Sequence, residues 1–394
     1  MKIKSIESIP LRFEYARGFE YAGGRCTSRV TNLVRVHTED GAVGIGSAYT
    51  HPGLAHLIIK HQLEPLLIGR NSTDTKDLWD FMYRVTRWYG RKGAAMSAIG
   101  ALDTAFWDVK AQAANQPLWQ LLGGESAQCP AYASALLWKS SEALGKEARE
   151  LIERGFRRVK MRLGRNPEFD SQATAAVRNA IGADHDILVD GSMRYGPDSA
   201  LRLARMLEQH RCFWLEEPFE PENLEAFAAL RKNVSIPLAA GENEFGEQGF
   251  RELIQAGAVD IAQPDASRCG GVTEVLRAAD LAHDAGLKVA THSWSDAVAI
   301  IANAHVIAAH PAGLTVEIDQ TGNPFVDQLL KKPLQVQDGE LTLPDNPGLG
   351  IELDESIIEK HRLADPCDLP EGAYSDMVFG TEHWNPAPPY PEED

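Results

Sequence analysis

Cysteine is sparse and unpaired in this 394-residue chain. Cys26, Cys129, Cys212, Cys269 and Cys367 are scattered, odd in number and without a CxxC spacing. That excludes a disulfide-stapled scaffold and suits a reduced, cytoplasmic setting. Positive charge is also short: 39 Lys and Arg stand against 56 Asp and Glu, for a net charge of −17. A phosphate backbone or an anionic bilayer would be repelled, so neither nucleic acid nor membrane is expected as a partner. An anionic substrate would need a local cation, either a lysine or a metal. Long hydrophobic runs are missing as well, since no stretch approaches the roughly 20 apolar residues of a membrane span. Met1-Lys2-Ile3-Lys4-Ser5-Ile6 alternates like a strand, without the apolar core of a secretory signal. What is present is 44% hydrophobic and 24% charged residues, enough to bury a large core in two or three domains.

The pattern of those residues divides the chain. Residues 1 to about 50 read as strands, with Val30–His37 apolar and β-branched and a hairpin-like turn at Thr38-Glu-Asp-Gly41. From about 53 to 122 the apolar period becomes helical, most clearly from Ala94 to Leu122, interrupted near Asn115–Pro117 and stopped by Gly123-Gly124. Residues 1–125 therefore read as an α+β module. Short apolar runs then recur near 131–136, 157–163, 187–190, 213–216, 237–240, 259–262, 288–291 and 313–317, separated by helical segments. Alternating strands and helices imply a parallel sheet, and eight such units imply an α/β fold, a (β/α)8-type barrel over 126–320. Only seven helices are clear, so the last is expected to be shortened or replaced. Residues 321–394 form an irregular C-terminal segment. Leu341–Pro347 reads as a strand and turn packing back on the N-terminal module, and a Pro- and Glu-rich tail from Asn385 reads as loosely ordered.

Acidic residues close three successive strands: Asp190 in Ile187-Leu-Val-Asp190, Glu216 in Phe213-Trp-Leu-Glu216 and Glu242 in Leu238-Ala-Ala-Gly-Glu242. Taken singly, each reads as a helix N-cap or a solvated loop residue. Barrel active sites, however, lie at the C-terminal ends of the strands, and neighbouring strands are about 4.8 Å apart. Three converging carboxylates cannot all remain ionised without a cation, and an all-oxygen set suits Mg²⁺ or Mn²⁺. Glu217, next in sequence, is expected to point away from this cluster.

Strand ends six and seven carry Asp265 and His292, close enough for a carboxylate to fix the imidazole tautomer and raise its pKa. On the second strand Lys160 and Arg162 share one face. Two cations directed into a barrel interior are costly unless they meet anions, and the carboxylates opposite provide them. Glu317 ends the eighth strand, either as a protonated donor to a substrate oxygen or as a partner of Lys160 or Arg162.

The ordered set Lys-x-Arg, Asp, Glu-Glu-Pro, Gly-Glu-Asn, Pro-Asp-Ala, His and Glu resembles the mandelate-racemase subgroup of the enolase superfamily. The helix from Ala98 through Trp107-Asp108, followed by Pro117 and Leu121-Leu-Gly-Gly124, resembles that family's N-terminal capping domain. The resemblance spans nearly the whole chain. It implies that Asp190, Glu216 and Glu242 bind one Mg²⁺ per subunit, that His292 with Asp265 transfers the proton, and that Glu317 contacts substrate. It also implies a homo-oligomer, dimer or octamer. The Ala-Ser-Arg after Asp265 lacks the sixth-strand lysine of the muconate-cycloisomerase subgroup. In this chemistry the proton next to a carboxylate becomes removable because the metal, as a Lewis acid, stabilises the resulting enediolate; the handling of such sites by a Lys or His base with Mg²⁺ is a general pattern.

Two departures from the family pattern bear on the reaction. Arg162 stands where the family often has a second lysine base, and arginine remains protonated. A single base, His292, suits β-elimination of water from a small anionic acid sugar to a 2-keto-3-deoxy acid; Lys160 remains a second candidate base. The alternatives are a cycloisomerase, epimerase or racemase using the same enediolate, or a catalytically silent metal-binding member. Ser192 replaces a frequent asparagine two residues after Asp190 and is expected to hold substrate. Further substrate contacts are expected from the capping-domain residues Tyr21, Arg25, Tyr49 and His51 and from Trp138, with Gly23-Gly24 as a hinge.

Overall fold

A computed structural model of the chain describes residues 1–365, 367–375, 377–384 and 389–391. β1 (Ile3–Tyr21), β2 (Gly24–Thr38) and β3 (Val43–Ala48) form an antiparallel sheet in that order. β1 and β2 make one long hairpin, paired from Ile3–Thr38 at its base to Tyr21–Gly24 at its tip. Its tip reaches the barrel: the Trp138 N–H donates to the Glu20 carbonyl at 3.1 Å.

The helix Ala94–Ala113 joins the two domains, and its composition reflects that position. It is apolar all round because it is buried on nearly every side. On β3, Gly44 and Gly46 face it. A Cβ at these positions would lie 2.1 Å from the Ala105 carbonyl oxygen and 2.0 Å from that of Ala101, so only glycine admits the helix so close. On the other side, Asp103 accepts from the Thr273 N–H (2.8 Å) and hydroxyl (2.7 Å). A carboxylate of the capping domain thereby caps the barrel helix Val272–Asp284.

The barrel strands are β4 (Gln128–Ser134), β5 (Arg158–Arg162), β6 (Asp186–Asp190), β7 (Trp214–Glu216), β8 (Leu238–Ala240), β9 (Ile261–Ala262), β10 (Lys288–Thr291) and β11 (Gly313–Asp319). They pair in chain order, and β11 pairs in parallel with β4 to close the ring. The connection after β11 carries only the single turn Pro324–Asp327 as helix, the shortened last helix expected from the sequence. Inside the ring, Tyr132, Leu188, Trp214, Ala239, Ile261 and Ala290 form an apolar plug. Polar side chains nearer the strand ends therefore have only the mouth to face.

One expectation fails in the C-terminal segment. Residues Glu340–Thr342 pair antiparallel with Gln128–Pro130 of β4, not with the capping sheet. The backbone of β4 at that end has an unused edge, and the segment extends the barrel sheet there. The return to the capping domain begins just after that strand and turn, where Gly348 bridges to Pro117 and the Leu349 N–H donates to Asp108 at 2.8 Å, and it continues where helix Glu355–His361 lies against β1 and Tyr374 bridges to Ser28. The loosely ordered tail expected from Asn385 falls mostly outside the described residues. Tyr390 is described, and it is buried, with its hydroxyl 3.1 Å from Asp170.

Candidate active site

Strand register produces the cluster. Arg162 pairs with Asp190 across β5–β6, and Asp190 pairs with Glu216 across β6–β7. Three charged side chains on successive strands thus share one level at the mouth. β8 ends at Ala240, and Gly241, at φ 130°, turns the chain so that Glu242 completes the group. Carboxylate oxygens of Asp190, Glu216 and Glu242 lie within 4.8 Å of one another. The other three-residue group of possible ligands among the described residues, Glu371, Glu382 and His383, is fully exposed.

Lys160 and Arg162 share one face, as parity required, and both point inward, toward the carboxylates. Lys160 Nζ, fully buried, sits 2.5 Å from Glu216 Oε1, 2.8 Å from Glu317 Oε1 and 3.9 Å from Asp190 Oδ2. Arg162 lies 3.1 Å from Asp190 Oδ2, and its guanidinium covers the Trp294 ring at 4.6 Å. Burial alone would lower the pKa of both groups, but the surrounding carboxylates outweigh it and raise them. Lys160 is therefore held as a cation. Of the two readings open from sequence for Glu317, the geometry supports the partner of Lys160. Burial would raise its carboxyl, yet Lys160, His292 and Arg162 hold it well below the usual range, so it is an ionised partner with no proton to donate. Its second oxygen accepts from the Ser293 N–H at 2.9 Å.

His292 and Asp265 meet as expected: Nδ1 is 2.8 Å from Asp265 Oδ2. The opposite ring nitrogen, Nε2, lies 3.8 Å from Glu242 and 4.0 Å from Glu317. A carboxylate on one side thus fixes the ring, and the other nitrogen faces the acidic cluster. Glu217, at φ 35°, turns away from it and accepts from the Asn243 side chain (2.7 Å) and the Gly241 N–H (3.3 Å).

The expected substrate contacts separate into those at the mouth and those elsewhere. Tyr49 is buried and stacks on His292, with ring centroids 6.4 Å apart and planes at 22°. With Tyr21, Phe19, Leu137 and Trp294 it forms an aromatic and aliphatic wall. The Tyr21 hydroxyl donates to the Ser375 carbonyl, and that of Tyr49 lies 2.6 Å from Ser375 Oγ. Ser192 instead serves a neighbouring residue: its N–H and hydroxyl both donate to Asp190 Oδ1, at 2.7 and 2.9 Å. His51 caps the helix Pro52–Leu57 through Nδ1, since its position just before that helix exposes unbonded N–H groups. Trp138 donates its indole N–H to the Leu163 carbonyl at 3.3 Å. Arg25 lies exposed on the hairpin. Ser192 thus lies at the mouth through Asp190, and His51 lines a cavity with Tyr49 and Ser375, whereas Trp138 is engaged by backbone and Arg25 is exposed.

Sequence reasoning missed Arg29, Trp294, Ser375 and Asn303. Arg29 is 1% exposed and pairs with Asp319 at 2.7 Å, while covering the face of Trp294 at 4.3 Å. Trp294 is thereby clasped between a capping-domain arginine and Arg162. The available signal for Asn303 was its place, with His305, as one of two polar residues in the helix Ala297–Ala309.

With this geometry in hand, comparison with known proteins assigns the lineage. Residues 16–123 match the N-terminal domain of mandelate racemase and muconate lactonizing enzyme, and residues 143–357 match the enolase C-terminal domain-like family. The chain belongs to the enolase superfamily. Within it, D-galactarolactone cycloisomerase of Agrobacterium fabrum is 33% identical, over 93% of this chain and 100% of that protein. Arabinonate dehydratase of Saccharolobus solfataricus is 31% identical over 83% of this chain and 89% of its own. A racemase from Streptomyces coelicolor A3(2), crystallised with bound magnesium, aligns with a TM-score of 0.85 at 28% identity, covering 92% of this chain and 100% of that one. The superfamily's reaction, removal of a proton next to a carboxylate, and its use of Mg²⁺ come with that membership.

The residues fit such an ion. Five carboxylates, Asp190, Glu216, Glu242, Asp265 and Glu317, gather about the inward cations Lys160 and Arg162 and the His292 ring. Burial and the neighbouring carboxylates, opposed by Lys160, leave Glu216 pushed up to about 7. The excess negative charge and the all-oxygen donor set suit a hard dication. No helix among the described residues is long and apolar enough to cross a membrane.

Proposed function

We propose that this enolase-superfamily member is an acid-sugar dehydratase that uses His292 as its proton-transfer group and one Mg²⁺ per chain held by Asp190, Glu216 and Glu242. The observation that carries the reading is the contrast between the inward groups: the His292 Nε2 stands 3.8 Å from Glu242 and 4.0 Å from Glu317, whereas Lys160 and Arg162 are pinned as cations by carboxylates at 2.5 to 3.1 Å. A single competent base suits elimination better than inversion at one carbon. When bound, the metal supplies positive charge against which negative charge on the substrate carboxylate develops.

The chain's own residues supply the rest. His292 Nε2 removes the proton on the carbon next to the carboxylate, and Asp265 holds the imidazolium that forms. The electron pair of that C–H bond becomes a C=C bond as the neighbouring C–O bond breaks. The same imidazolium delivers its proton to the departing hydroxyl, which leaves as water. The enol product then becomes the 2-keto-3-deoxy acid. Lys160 and Arg162 balance charge around the substrate carboxylate, and Tyr49, Trp294 and Leu137 exclude water from the reacting carbon.

A second reading has its own support. The wall of Tyr21, Tyr49, Phe19, Leu137 and Trp294 is apolar in character, and the two tyrosine hydroxyls are engaged by Ser375. Such a wall suits a compact cyclic substrate, and a relative aligned along its whole length is a lactone cycloisomerase. There the leaving group would be the ring oxygen, displaced by the same proton abstraction. A panel of aldonates, aldarates and their lactones, assayed with Mg²⁺ by semicarbazide and mass spectrometry, separates the two. Loss of one water supports the dehydratase, and an unchanged mass with a new keto group supports the cycloisomerase. Full turnover by His292→Asn on an identified substrate would refute both.

A further inference from the structure

Asn303 lies on the helix Ala297–Ala309, fully buried, behind the His292–Asp265 pair. Its Nδ2 is 3.1 Å from Asp265 Oδ1, 3.1 Å from the His292 carbonyl oxygen and 2.8 Å from Ser293 Oγ. Its Oδ1 accepts from the Ala266 N–H at 3.0 Å. That last bond fixes the amide's orientation, because only the oxygen can face an N–H. One carboxamide thus ties together the loop after β9, which carries Asp265, and the residues after β10, which carry His292. Ser293 extends the connection, as its hydroxyl bonds the His292 carbonyl at 2.7 Å and its N–H bonds Glu317.

We infer that Asn303 is the positioning residue of the proton-transfer pair: it holds Asp265 Oδ1 and the His292 backbone in one rigid frame, so that Nε2 stays aimed at the substrate's acidic carbon. The inference rests on the reading of His292 as the base. Asp265 Oδ1 also accepts from the Ser267 N–H and hydroxyl, each at 2.8 Å, so the carboxylate keeps a foothold when Asn303 is lost. The His292 N–H already bonds the Pro264 carbonyl at 3.2 Å; Asn303 adds the link from the Asp265 carboxylate itself to the His292 backbone, which belongs to a different strand. A displacement of about 1 Å in a reacting group costs on the order of 100-fold in rate.

The test compares Asn303→Ala, Asn303→Leu and His292→Asn with wild type in the full-length Mg²⁺-loaded protein. The substrate is the acid sugar found in the panel above. The expected result is a fall of roughly 10- to 100-fold in kcat and in α-proton exchange with D₂O, with KM within about twofold. Mg²⁺ affinity measured by calorimetry stays unchanged. A second readout needs no substrate: in ¹⁵N-histidine NMR, the hydrogen-bonded Nδ1 proton assigned by its absence in His292→Asn loses its protection from solvent exchange in Asn303→Ala. A merely structural role would lower the unfolding midpoint while leaving kcat per folded site and that proton unchanged, and this result overturns the inference. Full activity in His292→Asn sinks the underlying reading instead, so the two failures are distinguishable. Should Asn303→Leu not fold, Asn303→Ala, which adds no atoms, decides alone.

Discussion

In the metal-free protein the His292 imidazole is expected to titrate near pH 9. Burial alone would push its pKa below the ordinary 6.5, but Glu242 at 3.8 Å, Glu317 at 4.0 Å and Asp265 at 2.8 Å raise it to about 9. A rise of that size is worth about 3 kcal/mol in favour of the imidazolium. Its sign follows from linkage: with the folded pKa above the unfolded one, this stabilisation is complete below pH 6.5 and is lost as pH rises through 9. A divalent ion at Glu242 opposes the largest of the three carboxylate contributions, so Mg²⁺ lowers the midpoint toward neutrality and frees Nε2 to accept a proton. The assay is an NMR titration of the ring Cε1 proton between about pH 5 and 10, with and without Mg²⁺ and assigned with His292→Asn. Urea unfolding of the metal-free protein over the same range reads the linked stability. A midpoint at or below 6.5 without metal, or one that Mg²⁺ leaves in place, refutes this account of the site's charge balance.

Three further outcomes follow from the same contacts. Lys160→Met strips a cation that lies within 3 Å of both Glu216 and Glu317, so metal-free stability falls by about 3–5 kcal/mol and Mg²⁺ restores part of it. Urea denaturation with and without the ion checks this, and an unchanged midpoint argues against the pairing. Arg29→Met leaves Asp319 buried without its partner, for a loss of about 3–5 kcal/mol, together with loosened proteolytic resistance of the capping domain. Equal protease resistance in the two proteins rejects Arg29 as the clasp between domains. Tyr49→Phe keeps the ring stacked on His292 but removes the bond to Ser375. Its KM is expected to rise by roughly 5- to 10-fold with kcat nearly unchanged, and a loss confined to kcat contradicts that division of roles.

Much of the site was legible because strand ends repeat. The intervals between Asp190, Glu216, Glu242, Asp265, His292 and Glu317 are near the length of one βα unit, so the barrel and its ring of functional groups could be inferred together. Parity put Lys160 and Arg162 on one face and Glu217 away from its neighbour's, and the carboxylates opposite gave the two cations their inward direction. The substrate loops were far less readable. His51 looked like a mouth residue, yet its place before a helix made capping its role. Ser192 looked like a substrate contact, yet two residues after Asp190 its hydroxyl finds that carboxylate first.

Local sequence, then, determined what recurs at short range: the alternation of strand and helix, the shortened final helix, and the charged residues closing the later strands. Tertiary structure alone decided what depends on distant segments meeting. It pairs Glu340–Thr342 with β4, clasps Trp294 between Arg29 and Arg162, brings Ser375 to Tyr21 and Tyr49, and sets Asn303 behind Asp265. The physical reason is that periodicity records which face of an element is buried, whereas the partner on that face is chosen by closure of the barrel and by the docking of the capping domain across it.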